Sequence, residues 1–80
     1  MTEVAIEYCV PCGHRERAVN LQTAILEEFG QGVDAVSLVT GDGGTFEVSV
    51  DGELIFDKDE QEFDADAIVD EVGEHVGATA

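Results

Sequence analysis

Apolar and polar residues alternate over Thr2–Tyr8, where Val4, Ile6 and Tyr8 interleave with Glu3, Ala5 and Glu7. Successive side chains of a strand point to opposite faces, so this stretch predicts a half-buried strand. From His14 to Phe29 the period changes to that of a helix. Ala18, Leu21, Ile25 and Phe29 fall on one stripe, flanked by Ala24 and Leu26, and Gly30 suits the left-handed position just past the helix end. Val33–Thr40 predicts a second strand, with Val36 and Leu38 on one face and Ala35 and Val39 on the other; apolar residues on both faces suggest a more covered strand. Thr45–Val50 alternates again, with Phe46, Val48 and Val50 inward and Glu47 and Ser49 outward. Asp51–Gly52 predicts a two-residue hairpin turn with positive φ at both positions. Glu53–Asp57 is the return strand, with Leu54 and Phe56 expected inward. After the polar connection Lys58–Glu62, Asp64 is placed to cap a second helix and Phe63 to staple onto Ile68. Ala65, Ile68, Val72 and Val76 form the stripe of that helix, which is expected to end near Gly77.

The element order is therefore β-α-β-β-β-α. A strand, helix and strand imply a right-handed crossover and a parallel pair. The hairpin that follows adds two antiparallel strands. The expected fold class is α/β (an α+β sandwich): a four-stranded mixed sheet in the order 2-1-3-4, first strand interior, with two helices on one face. Residues 1–80 show no internal repeat, low-complexity segment or linker and are expected to form a single domain. A chain of this size buries only about 60–65% of the surface its unfolded form exposes, so its margin of stability is thin.

Charge changes the picture. Nineteen Asp and Glu face three Lys and Arg, for a net charge of −16. That excludes nucleic acid as a general partner, because a phosphate backbone needs cations opposite it. It also disfavours an anionic membrane surface. Such self-repulsion destabilises a compact state in dilute salt, so the protein is suited either to very high salt or to an acidic interaction role. The acids are spread along the whole chain and interleaved with apolar positions rather than gathered in a tail. Evenly spread acids with almost no Lys are typical of proteins from extreme halophiles. At 1 M salt the Debye length is only about 3 Å and repulsion between surface carboxylates largely vanishes. Folding is therefore expected to need high salt. Residues 1–15 lack a basic stretch followed by an apolar one, and no apolar run approaches the ~18–20 residues that span a bilayer. A cytoplasmic location is expected.

Only two cysteines are present, in the stretch EYCVPCGHRERA, with Val10 and Pro11 between Cys9 and Cys12. In a reducing compartment such a pair is a redox centre or a metal clip before it is a structural staple. With two residues between them, two thiols at the start of a helix can close a small disulfide without moving the backbone. The helix N-terminus, with about half a positive charge and free N–H groups, favours thiolate over thiol. His14, Arg15 and Arg17 all lie within five residues of Cys12. A charge about 6 Å away contributes about 0.7 kcal/mol at the dielectric of water and about 2.8 kcal/mol at an effective value of 20. Salt screens exposed guanidinium groups more than short main-chain contacts, so the helix terminus takes the larger share. The bland reading of Arg15 and Arg17 is that they are solvated or paired with nearby Glu. Haem attachment needs His directly after the second cysteine, and Gly13 stands there. Zinc needs two more ligands, and the remaining candidates are His14 and the distant His75, so no metal site is expected. The loop Gly41–Gly44 lacks the Lys and Ser/Thr of a phosphate loop. Its functional reading is that the bare backbone at Gly43 and Gly44 approaches the cysteines and hydrogen-bonds a thiol substrate; otherwise it is a flexible turn.

Three stretches, VAIEYCVPCG, GTFEVSVDGELIFDKD and the final helix, together resemble selenoprotein W and its cysteine-containing relatives, the Rdx family, over nearly the whole chain. The resemblance implies a thioredoxin-like fold and a redox role tied to glutathione or thioredoxin. Family members with selenocysteine carry it at the position matching Cys12, which implies Cys12 as the attacking atom and Cys9 as the resolving thiol; thioredoxins proper would assign the attack to Cys9. The chain departs from the pattern in two ways. Val10-Pro11 replaces the small residues common between the pair, and Pro11 is the only proline, so the proline loop of thioredoxins proper is missing.

The expected function is a small thiol–disulfide oxidoreductase or redox relay built on Cys9 and Cys12, with Pro11, His14, Arg15, Gly43 and Gly44 tuning or holding the reacting group. It needs no cofactor beyond a small thiol such as glutathione as co-substrate. Its partners would be a small thiol or a thiol- or disulfide-bearing protein, met as a monomer. The alternative is a non-catalytic module whose cysteines switch a protein contact.

Overall fold

The computed structural model describes residues 2–78, with side chains through residue 76. Its elements follow the expected order: β1 (Glu3–Cys9), α1 (Arg15–Phe29), a single 3-10 turn (Gly30–Gly32), β2 (Ala35–Gly41), β3 (Phe46–Val50), β4 (Glu53–Asp57) and α2 (Ala65–Ala78). The sheet has the order β2-β1-β3-β4. β1 pairs parallel with β2 and antiparallel with β3, and β3 pairs antiparallel with β4.

One face of the sheet is covered. Val4, Ile6 and Tyr8 of β1 and Phe46, Val48 and Val50 of β3 are buried on it, against Ala18, Leu21 and Ile25 of α1 and Ile68 and Val72 of α2. These are the inward positions of the period-two and helical patterns, so hydrophobic periodicity alone fixes which face packs. The helix ends carry the expected chemistry. The N–H of Gly30 returns to the Leu26 carbonyl, and the Asp64 carboxylate accepts from the Ala67 N–H at 3.3 Å. The turn takes positive φ at both Asp51 (52°) and Gly52 (86°). The Asp51 carboxylate also accepts from the Glu3 N–H at 2.9 Å, tying the hairpin to the start of β1.

Two expectations need correction. Leu54 does not point inward: it is 50% exposed. A register shift sets Val48 opposite Phe56 but Ser49 opposite Leu54, so the bulge leaves Ile55 without a partner and moves Leu54 to the open face. β2 is not covered on both faces. It lies at the sheet edge, where Val36 and Leu38 are half-buried under α1 while Ala35 and Val39 face outward. Phe63 also turns its ring into an aromatic cluster with Phe46 and Phe56, at centroid distances of 5.4 and 6.1 Å.

Candidate redox site

β1 delivers Cys9 as its last residue, opposite Gly41 of β2. At the end of an interior strand Cys9 is fully buried; Cys12, three residues on in an open turn, is exposed. The two are joined in a disulfide with a Cα–Cα distance of 5.3 Å, which lies within the range a bridge accepts without backbone movement.

Main-chain hydrogen bonds hold this turn from both sides. Within it, Gly13 N–H donates to the Val10 carbonyl at 3.2 Å and His14 N–H to the Cys9 carbonyl at 3.4 Å. From outside, Cys9 N–H donates to the Thr45 carbonyl at 2.8 Å and Val10 N–H to the Gly41 carbonyl at 3.1 Å. The loop between β2 and β3 therefore brackets the first cysteine. Gly41 is glycine for reasons of space. A Cβ there would stand 2.9 Å from both the Glu7 carboxylate and the Thr45 methyl. Gly43 and Gly44 lie farther round the same loop with positive φ and open space where a Cβ would stand; the main-chain contacts to the cysteine turn come from Gly41 and Thr45 on either side of them.

His14 occupies the N-cap position of α1, but its side chain makes no cap hydrogen bond. The positive end of α1 thus lies three residues beyond Cys12 with no side-chain cap, and the only acid in its first turn is Glu16, which offsets part of its charge. The amides of Gly13 and His14 are already used by the turn. The His14 ring packs edge-on against Phe46 at 6.1 Å, and its Nδ1 is buried with no hydrogen-bond partner. Arg15 opens α1 and is exposed, as are Val10 and Pro11 beside Cys12.

Sequence reasoning missed a groove beside the cysteine turn. It has a volume of about 420 Å³ and runs between the first turns of α1 and α2, with Gly13, His14, Arg17, Asn20, Leu21 and Phe63 among its lining residues. Arg17 contributes more here than its charge. Its guanidinium carbon stands 4.6 Å from the Phe63 ring centroid and 6.0 Å from that of Phe46. A faint signal was present: His14, Arg17 and Leu21 are spaced by three and four residues, so they share one helix stripe. The contribution of Phe63, from the far end of the chain, had no local signal.

The fold and this junction define the class: a thioredoxin-like domain with a Cys-x-x-Cys pair between its first strand and first helix. The chain belongs to the Rdx family, whose model matches residues 3–74. Migration and invasion enhancer 1 from Mus musculus is 37% identical to it over 55 residues, 69% of the chain and 46% of that protein. The Bos taurus protein of the same name is 35% identical over the same shares. The chain thus spans about half the length of these curated relatives. Two crystal structures superpose closely. One is of a Bordetella parapertussis protein, with a TM-score of 0.87 and 30% identity, covering 92% of this chain and 96% of the other. The other is of a selenoprotein W-related protein from Vibrio cholerae, with a TM-score of 0.86 and 23% identity, covering 94% and 96%; at that identity it supports the fold alone. Among the described residues no helix is long and apolar enough to cross a membrane.

Proposed function

We propose that the chain is a thiol–disulfide oxidoreductase or redox relay in which Cys12 attacks and Cys9 resolves. The observation that carries this reading is the asymmetry of the pair: Cys9 has no exposed surface, whereas Cys12 stands open just ahead of an uncapped helix terminus. Burial disfavours a charged sulfur, and a helix N-terminus favours one. In the reduced protein the Cys12 thiolate attacks one sulfur of a substrate disulfide. That S–S bond breaks, and the departing sulfur leaves as a thiolate that takes up a proton from water. The Cys9 thiol then loses its proton and attacks the Cys12 sulfur of the mixed disulfide, releasing the second substrate thiol. The Cys9–Cys12 disulfide has formed and two electrons have passed to the substrate. A small cellular thiol such as glutathione, or a reduced partner protein, returns the pair to the dithiol.

A pair of this kind cycles in a reducing compartment, so the proposal places the protein in the cytoplasm, and its charge places it in a cell of high internal salt. The test is mixed-disulfide trapping. Cys9→Ser should accumulate a stable adduct with an activated disulfide, and Cys12→Ser should not. An adduct on the Cys12→Ser variant instead would reverse the assignment. Failure of the wild type to close its internal disulfide under mild oxidant would remove the redox function altogether.

A second reading draws on the apolar collar formed by Val10, 48% exposed, and the exposed Pro11 beside Cys12. Closing or opening the disulfide would reshape that collar and switch a protein contact. Partner affinity that differs between redox states, without reductase turnover, would favour this reading over the first.

A further inference from the structure

Two of the three Lys and Arg side chains in a chain of net charge −16 belong to the stretch that follows the cysteine turn, and one of them, Arg17, lies over aromatic rings. Arg17 lies over the face of Phe63, and among the described residues no carboxylate of the nineteen pairs with it. A guanidinium stacked on a ring keeps its N–H fork free for a planar anion and loses less entropy on binding one. The groove it borders is also lined by an amide side chain, Asn20, and by the ring of His14, whose Nδ1 is buried without a partner. Leu21, buried, and Phe63 supply apolar wall, while Glu16 sits at the rim and repels an acid placed anywhere but near Arg17.

From these features we infer that the groove docks an acidic protein segment around the target cysteine, with an Asp or Glu two residues away received by Arg17. The spacing follows from the shared lining: Gly13, next to Cys12, and Arg17, in the first turn of α1, border the same groove. Two residues of extended chain cover about 7 Å. From Glu16 to Leu21 the helical wall of the groove rises about 7.5 Å, and with Gly13 ahead of the helix it has the reach of a peptide of a few residues rather than of one thiol. This inference rests on the redox reading and names the substrate class that the same site selects.

The test uses the full chain, reduced, in the lowest KCl at which it is folded. Its probes are short peptides with Glu, Gln or Lys two residues to either side of a central cysteine, activated as mixed disulfides with a chromophoric thiol. The Glu peptide is expected to react about fivefold faster than the Gln peptide and the Lys peptide slower still, the scale of an exposed ion pair. In Arg17→Gln the Glu-to-Gln ratio falls to about one, and in Arg17→Glu the order inverts to favour Lys, as expected once the ion pair is removed or reversed. Ratios within one protein cancel any general change in thiol reactivity. Equal rates for the three peptides with the wild type overturn the inference without any variant. So does a charge preference that survives in Arg17→Gln, or one reproduced in full by a carboxylate-bearing thiol too small to enter the groove. The same peptides with Ser in place of Cys are titrated by NMR. If exchange chemistry is absent but the Glu peptide still binds tighter in an Arg17-dependent way, the redox reading fails while this surface stands. Equal binding overturns it.

Discussion

A charge of −16 on a body with a radius of gyration of 11.7 Å sets a measurable salt dependence. Spread over an equivalent sphere of about 15 Å radius in water, that charge carries about 14 kcal/mol of self-repulsion at 0.1 M salt and about 6 kcal/mol at 1 M. Unfolded, an 80-residue chain expands to a radius of gyration of about 28 Å, and its repulsion falls to about 3 and about 1 kcal/mol at the same two salt levels. The difference favours the fold by at most about 6 kcal/mol on going from 0.1 M to 1 M, comparable with the whole stability of a small domain. Local geometry adds to this: Glu47 of β3 lies directly across from Glu7 of β1 on one side and from Asp57 of β4 on the other, three carboxylates in one row of the open face. Like charges directly opposite destabilise a strand pair. Replacing Glu47 with Lys changes the net charge from −16 to −14. Because repulsion scales with charge squared, the salt-dependent part should fall to about three-quarters of its wild-type size. Two cross-strand ion pairs add about 0.2–1 kcal/mol each at low salt. The assay is urea unfolding followed by far-UV circular dichroism across a KCl series, for wild type and Glu47→Lys. A wild-type stability that stays flat with KCl refutes the argument. Equal salt slopes for the two proteins also refute it, because salting-out of apolar surface would act on both alike.

Other consequences are more local. Phe56→Ala should cost about 3–5 kcal/mol and Leu54→Thr less than about 0.5, because the bulge separates a core ring from an exposed side chain; comparable losses in urea unfolding would count against the register. Reducing the disulfide opens a four-residue loop, which in the chain-entropy treatment removes at most about 2 kcal/mol and lowers the melting temperature by about 10 °C. Scanning calorimetry with and without a strong dithiol checks this, and a higher melting temperature on reduction would contradict it. Gly41→Ala should cost about 1–2 kcal/mol, since the new methyl must displace the Glu7 side chain and the Thr45 methyl. It should also perturb the NMR signals of Cys9 and Val10, whose N–H groups bond to that loop.

Much of the fold was legible because each inward position obeyed its period. The stripe Ala18, Leu21, Ile25 and the alternation Phe46, Val48, Val50 both met the core as read. The turn at Asp51–Gly52 was legible because few residue pairs accept positive φ twice. Leu54 was misread because a bulge resets strand phase with no mark in composition. β2 was misread because Ala35 and Val39 are apolar by type, yet an edge strand needs cover on one side only. At the site, the cysteine spacing was visible but the contrast in their burial was not. It arises because β1 extends one residue further than its alternation suggested, taking Cys9 into the sheet and leaving Cys12 in the turn. The groove was least legible, since Arg17 and Phe63 are 46 positions apart and meet only once the helices pack.

That contrast and the groove bear on one another. On the proposed redox reading, the burial of Cys9 limits which sulfur an incoming disulfide can reach, so substrate would approach from the side of Cys12. From there the neighbouring surfaces differ in kind: Val10 and Pro11 are apolar, the loop of Gly43 and Gly44 is bare backbone, and the mouth of the groove is lined by Gly13, His14 and Arg17. Of these, the groove combines volume with a guanidinium that pairs with no carboxylate among the described residues. At 1 M salt, long-range steering by a cation is lost within about 3 Å. A guanidinium that discriminates under those conditions has to do so in contact. On the inferred docking role, the position of Arg17 over Phe63 would let its charge keep selectivity where most electrostatics is screened away.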